Sequence, residues 1–233
     1  MIWSKPRFQH SFELLPRVLK EVAPLLLPIS ILLWSLEFCV AWLNKARFED
    51  PYGSSMTTLV VVGITGVVIQ SFASVIWMLY VARSTQRQMK NGHGEHPFTF
   101  LKKRFHQTFI EYIRAFTSTG IYTLFLIIPG FLRWIQLVFV SLISAFDPQY
   151  QEGKKDALKE SARLVQGVWI PLLLLLLFQM IFPMILEETA KSDGVFSLAT
   201  IPLYLFSWVI NLYFAIYFSL TFFARWSFKM EKA

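Results

Sequence analysis

Apolar residues in this chain come in unbroken blocks, and blocks of that length leave the backbone few choices. No charged residue falls between Met56 and Ala82, between Ala115 and Leu132, between Val168 and Leu186, or between Phe196 and Ala224. In lipid such a stretch must satisfy its own backbone hydrogen bonds, which a single segment does only as a helix. A water-soluble core could use as much apolar residue only by spacing it periodically among polar positions. With 55% hydrophobic and 16% charged residues and 23 Phe in 233, the expected class is all-α, a polytopic membrane protein. Six transmembrane helices are predicted, paired as three hairpins, at about residues 22–43, 56–82, 108–128, 131–146, 168–186 and 196–224. Amphipathic basic helices at about 5–20, 97–107 and 148–167 would lie on the surface, and residues 1–233 form one membrane domain.

The stretch from Ile128 to Gly167 shows the alternation best. One apolar run ends at Pro129-Gly130 and a second begins at once. It stops at Asp147-Pro148, an N-cap followed by proline at the first helical position. The helix that follows sets Ala157, Leu158, Ser161, Ala162 and Val165 on one face and Lys154, Lys155, Lys159 and Arg163 largely on the other. Rich in Ala and Ser, it suits packing on protein better than insertion into lipid. Gly167 ends it as a left-handed C-terminal cap.

The same stretch carries a resemblance. Ile128-Pro129-Gly130 with Arg133, then Ala157-Leu158, Ser161 and Gly167 before an apolar helix, resemble the bacterial YciC-like membrane proteins. They are also similar to the membrane domain joined to some glycerophosphodiester phosphodiesterases. The motif-bearing match spans about residues 100–185. The resemblance implies a six-helix protein of the bacterial inner membrane.

Charge sets the expected orientation. With the N-terminus cytoplasmic and six crossings, only Lys45, Arg47, Arg133 and Lys191 of the 22 basic residues fall outside. The reverse insertion would translocate most of them, against the positive-inside bias. Trp77, Trp169 and Trp226 fall at the inner boundary, Trp42 and Trp134 at the outer. The first apolar stretch carries Pro24 and Pro28 without a small-x-small cleavage site and reads as a retained span. A net charge of +7 flanks spans and forms no soluble basic domain, so nucleic acid is not an expected partner. The single Cys39 rules out an intrachain disulfide.

Six residues, Arg7 to Phe12 and Arg104 to Phe109, resemble one another and each precede a span. Duplication or the shared demand for a basic aromatic helix at an interface would both produce the match. Phe8, Phe12, Leu15 and Leu19 fall at helical spacing, though Pro16 argues against one uninterrupted helix.

Candidate site residues are intramembrane polar groups. Glu37 in span 1 and Arg133 in span 4 sit at similar depth, and an ionised carboxylate there needs a partner, so they are expected to pair. Glu111 and Arg114 share a face of span 3, within reach of each other or of lipid phosphates. Gly63 and Gly66, with Gln70 and Ser74, make a small and polar stripe on span 2; Ser207, Asn211, Ala215 and Ser219 make another on span 6, both suited to close helix packing. His93, Glu95, His96 and His106 lack recognisable zinc spacing, so no metal or cofactor is expected. Neither a phosphate loop nor a hydrolase or protease signature is found. The expected function is therefore non-catalytic: a lipid-interacting accessory or scaffolding subunit. Expected partners are anionic lipid headgroups on the cytoplasmic side and a membrane protein or a second copy. The alternative is a small solute or lipid transporter built of hairpin repeats, using Gln70, Ser118, Asn211 and Gln179.

Overall fold

The computed structural model describes residues 5–49, 55–90, 93–178, 181 and 201–230. Within them only the backbone of 5–8, 34, 36–49, 55–60, 67, 201 and 227–230 is described. Among these residues the chain is all helical, without strands. Its helices are α1 (Lys5–Glu49), α2 (Ser55–Met89), α3 (Pro97–Phe125), α4 (Ile127–Gln136), α5 (Val140–Phe146), α6 (Pro148–Gln151), α7 (Ala157–Val165), α8 (Trp169–Phe178) and α9 (Ile201–Met230).

Among the described residues, three helical stretches are long and apolar enough to cross a membrane: Val61–Met89, Ile127–Phe146 and Pro202–Trp226. The pair α7 and α8, bent by 96°, meets the same test when taken together.

Surface helix and span are continuous where the sequence suggested separate pieces. α1 runs unbroken through Pro16, Pro24 and Pro28. Leu14, Val18, Val22 and Leu26 form a buried row along it at steps of four. An interior proline costs about 3 kcal/mol, and each buried side chain contributes about 1.5–3 kcal/mol. Leu14 and Val18, flanking Pro16, thus offset the bond that the proline removes. Phe12, Leu15 and Leu19, read from sequence as the apolar face of a helix lying on the membrane, fall outside this row. Phe12 is 61% exposed, and Leu15 and Leu19 are only half-buried.

In the same way α3 joins the predicted surface helix at 97–107 to the next apolar stretch in one rod. His96 caps it, its Nδ1 accepting from the Phe98 N–H at 3.3 Å, with Pro97 at the first turn.

The α3–α4 turn lies at Leu126, in extended conformation (φ −158°, ψ 138°), a few residues before the predicted break at Pro129-Gly130. Pro129 occupies the third position of α4, where a backbone N–H would lack a partner anyway. Gly130 is buried, and a Cβ placed there would lie 2.6 Å from the Cα of Thr123. Only glycine lets the two arms approach so closely.

The predicted helix at 148–167 is two pieces. Asp147 does cap the first turn, accepting from the Gln149 N–H at 2.9 Å. That helix stops at Gln151, Gly153 turns the chain at φ +73°, and Asp156 caps α7 by accepting from the Leu158 N–H at 2.9 Å. Gly167, at φ +82°, then redirects the chain into α8.

Burial is uneven along the bundle. Every residue of α5 is buried, and so are Leu79–Ala82 of α2 and most of α9 from Ile216 to Phe223. Phe146 links these parts, stacking on Phe100 (4.8 Å between ring centres) and meeting Phe223 edge-on (5.1 Å). At the far end Leu124, Phe125, Ile127 and Ile128 are 74–87% exposed.

Candidate functional site

Polar side chains gather at the densely packed end, and each knot ties two or more helices. The first is built on Glu21, where α1 faces the end of α2. Its carboxylate accepts from Ser84 Oγ (2.7 Å), Arg87 Nη1 (2.5 Å) and Gln88 Nε2 (3.0 Å). Burial pushes the Glu21 pKa up, but the hydrogen bonds from Ser84, Gln88 and Arg87 outweigh it and hold the group below its ordinary value. Ser84 is fully buried and shares this acceptor with Arg87 and Gln88, so one carboxylate of α1 clamps the end of α2. Nearby, Arg83 donates to the Glu95 carbonyl at 3.2 Å and covers the Phe100 ring at 5.0 Å.

A second knot joins α3 to the connector before α7. Glu111, 7% exposed, accepts from the Tyr150 hydroxyl at 3.0 Å and from Arg114 at 3.4 Å. Arg114 also reaches Asp156 with both terminal nitrogens, at 3.1 and 3.4 Å. Burial tends to raise the Asp156 pKa; the Leu158 N–H and Arg114 overcome that and lower it. Burial and the neighbouring Glu111 carboxylate push the Tyr150 phenol up.

The third knot is Ser161. Helix α4 breaks at Leu137–Phe139 before resuming as α5. A break leaves carbonyls on one side and N–H groups on the other without helical partners. The Ser161 hydroxyl meets one of each, donating to the Gln136 carbonyl at 2.7 Å and accepting from the Phe139 N–H at 3.1 Å. Beyond it, Arg225 of α9 donates to the Gln166 carbonyl at 3.2 Å. Helix α7 is therefore a cross-brace: Asp156 ties one end to α3, Ser161 seats the middle on the α4–α5 break, and Gln166 ties the other end to α9.

The motif residues thus divide by task. Gly130 permits the close α3–α4 approach, Gly167 makes the turn into α8, Ser161 closes the break, and Ala157 and Leu158 are buried at the start of α7. Arg133 donates to Ser118 Oγ and Gln136 Oε1, both at 3.3 Å, and lies 5.5 Å from the Tyr122 ring. The Glu37 side chain expected to pair with it lies outside the described residues, as does Gln179.

The predicted packing stripes are displaced. On α9 the buried row is Trp208, Leu212, Ile216 and Leu220, one position on from Ser207, Asn211 and Ala215, which are half-buried. Ser219 is buried, but its hydroxyl bonds back to the Ala215 carbonyl at 2.8 Å. On α2, Gly66 is buried, whereas a Cβ at Gly63 would meet nothing within 4 Å and Gln70 and Ser74 are exposed. Large side chains, which have the most surface to bury, take the inward positions; the small polar residues sit at the edge of the contact.

Among the described residues no group of three His, Cys, Asp or Glu could hold a metal ion. Glu95 is engaged with Lys103 at 2.6 Å, and His96 caps α3.

Glu21, Ser84 and Arg87 were not singled out from sequence. The available signal was an acid at the junction of a basic segment and an apolar one, with a polar S-T-Q-R-Q run closing the next helix.

No protein-family model, curated protein or solved structure matches the chain.

Proposed function

We propose that this chain is a non-catalytic, multi-pass protein of the bacterial inner membrane, a lipid-interacting accessory or scaffolding subunit. In this reading six crossings form three hairpins, both termini are cytoplasmic, and the Glu21 and Glu111 knots lie toward the cytoplasmic end. Anionic headgroups and a second membrane protein, or a second copy, are its partners. The YciC-like resemblance belongs to the same proposal.

One observation carries it: the acids and the serine that tie the helices together are occupied by protein partners. Glu21, Glu111, Asp156 and Ser161 all hold helices together, the use of a structural group more than of a reactive one. The exposed surface is apolar over Val61–Phe72, Ile110–Ile128 and Trp169–Phe178 in a way that water-soluble monomers avoid. Transport would call for convergent polar groups between the helices. Gln70 is instead exposed and Ser118 is bonded to Arg133, which favours the scaffold reading.

Two measurements test the proposal. Impermeant thiol labelling of single cysteines in 83–107 and 147–167 should succeed only from the cytoplasmic side; labelling from the periplasm refutes the orientation. Purification in mild detergent with mass spectrometry should recover bound phospholipid and a stoichiometric partner or a homo-oligomer. Substrate-driven flux in liposomes containing this chain alone would refute the scaffold assignment.

A further inference from the structure

Where α7 meets α8 at the Gly167 bend, a cavity of about 400 Å³ opens between α4 and these two helices. It is lined by Leu132, Ile135 and Gln136 of α4, by Ala162, Arg163 and Val165 of α7, and by Trp169 at the start of α8. We infer that this notch is a specific site for one anionic phospholipid, its phosphate held by Arg163 and an acyl chain rising between Leu132 and Trp169. The inference rests on the lipid-interacting part of the reading above and not on six full crossings, since the notch sets Leu132 of α4 beside Arg163 of α7; it gives that reading a place and a headgroup class.

Three features point to that occupant. The lining continues outward into exposed apolar side chains, Leu132 (44%), Trp169 (45%), Ile170 (52%) and Leu174 (55%), a surface suited to an acyl chain. One lining side chain is cationic: Arg163 keeps two thirds of its side chain exposed, and its contact with Glu160 is a long one at 3.5 Å. A guanidinium so placed still has donors in a geometry that matches phosphate oxygens. The 96° bend sets the charged helix across the foot of an apolar one, the arrangement by which an amphiphile is gripped at head and tail together.

Native mass spectrometry of delipidated protein, titrated with phosphatidylglycerol, phosphatidylcholine or glycerol 3-phosphate, tests this. One tight phosphatidylglycerol adduct per chain is expected, with weaker phosphatidylcholine and no adduct of glycerol 3-phosphate. Arg163→Gln should weaken the adduct about fivefold, the effect of one cation near an anionic headgroup. Ala162→Trp, which fills the notch, should abolish it, with the melting temperature reporting that the fold survives. Lys159→Gln, exposed on the same helix, should leave it unchanged. An adduct indifferent to Arg163→Gln, or lost equally in Lys159→Gln, overturns the site while leaving general lipid interaction standing. Equal binding of glycerol 3-phosphate overturns the acyl-chain component. A wild-type chain that takes up no phospholipid overturns both the site and the reading beneath it.

Discussion

Arg114 grips Asp156 with two nitrogens, at 3.1 and 3.4 Å, while the same carboxylate caps α7 through the Leu158 N–H. One carboxylate thereby starts a helix and fastens it to α3. Asp156→Ala removes both interactions and should lower stability by about 1–3 kcal/mol. Asp156→Asn keeps a capping oxygen and should cost less. Thermal unfolding of the detergent-solubilised protein followed by tryptophan fluorescence reads the difference; equal losses would show that the cap contributes nothing.

Acid should loosen this end of the bundle. Glu21 and Asp156 both have pKa values lowered in the folded state. Their contribution is therefore present in full above the ordinary carboxylate value of about 4 and is lost as pH falls from there through the folded values. The melting temperature should be flat from neutral pH to about 5 and drop below about 4. Glu21→Gln should lower the neutral-pH plateau and shallow the acid drop. A drop of undiminished size in that variant would remove Glu21 from the account.

Gly130→Ala should separate the α3–α4 hairpin. The new methyl would overlap Thr123, including its Cα at 2.6 Å, at a cost of about 1–3 kcal/mol. Because the backbone is part of the clash, Thr123→Ala should fail to rescue it. Full rescue in the double variant would mean that the side chain alone sets the spacing.

Ser161→Ala strips the α4–α5 break of its hydroxyl, leaving the Gln136 carbonyl and the Phe139 N–H to find other partners. Ser161 and Phe139 are fully buried, so the loss should again be about 1–3 kcal/mol. Hydrogen exchange at Leu137–Val140 should rise more than exchange in α2. Uniform change across the molecule would speak for a packing defect instead.

What the sequence disclosed depended on whether a residue signals by itself. Asp147 before Pro148 announces a helix start through its capping oxygen, Gly167 after a polar helix announces a left-handed turn that few other residues adopt, and both act in those roles. The small face of α7 was equally plain, because Ala157, Leu158, Ser161 and Val165 stand out among charges. Helix faces in apolar surroundings were not readable. On α9 nearly every position is greasy, so Ser207, Asn211 and Ala215 looked distinctive only by being small, while Trp208, Leu212 and Ile216 turn inward. Pro16 misled for a related reason, since a local rule about backbone donors says nothing of the tertiary contacts at Leu14 and Val18. The Glu21 knot joins residues more than 60 positions apart, and no spacing in one segment reveals it.

The closure at Ser161 also bears on how the molecule is made. The hydroxyl that completes the fractured rod lies 22 residues downstream of the amide it serves. During synthesis the α3–α4 hairpin must accordingly emerge with the break in its second arm still open, although α5 can already rest on α3 through Phe146 and Phe100. The brace arrives later and closes that break.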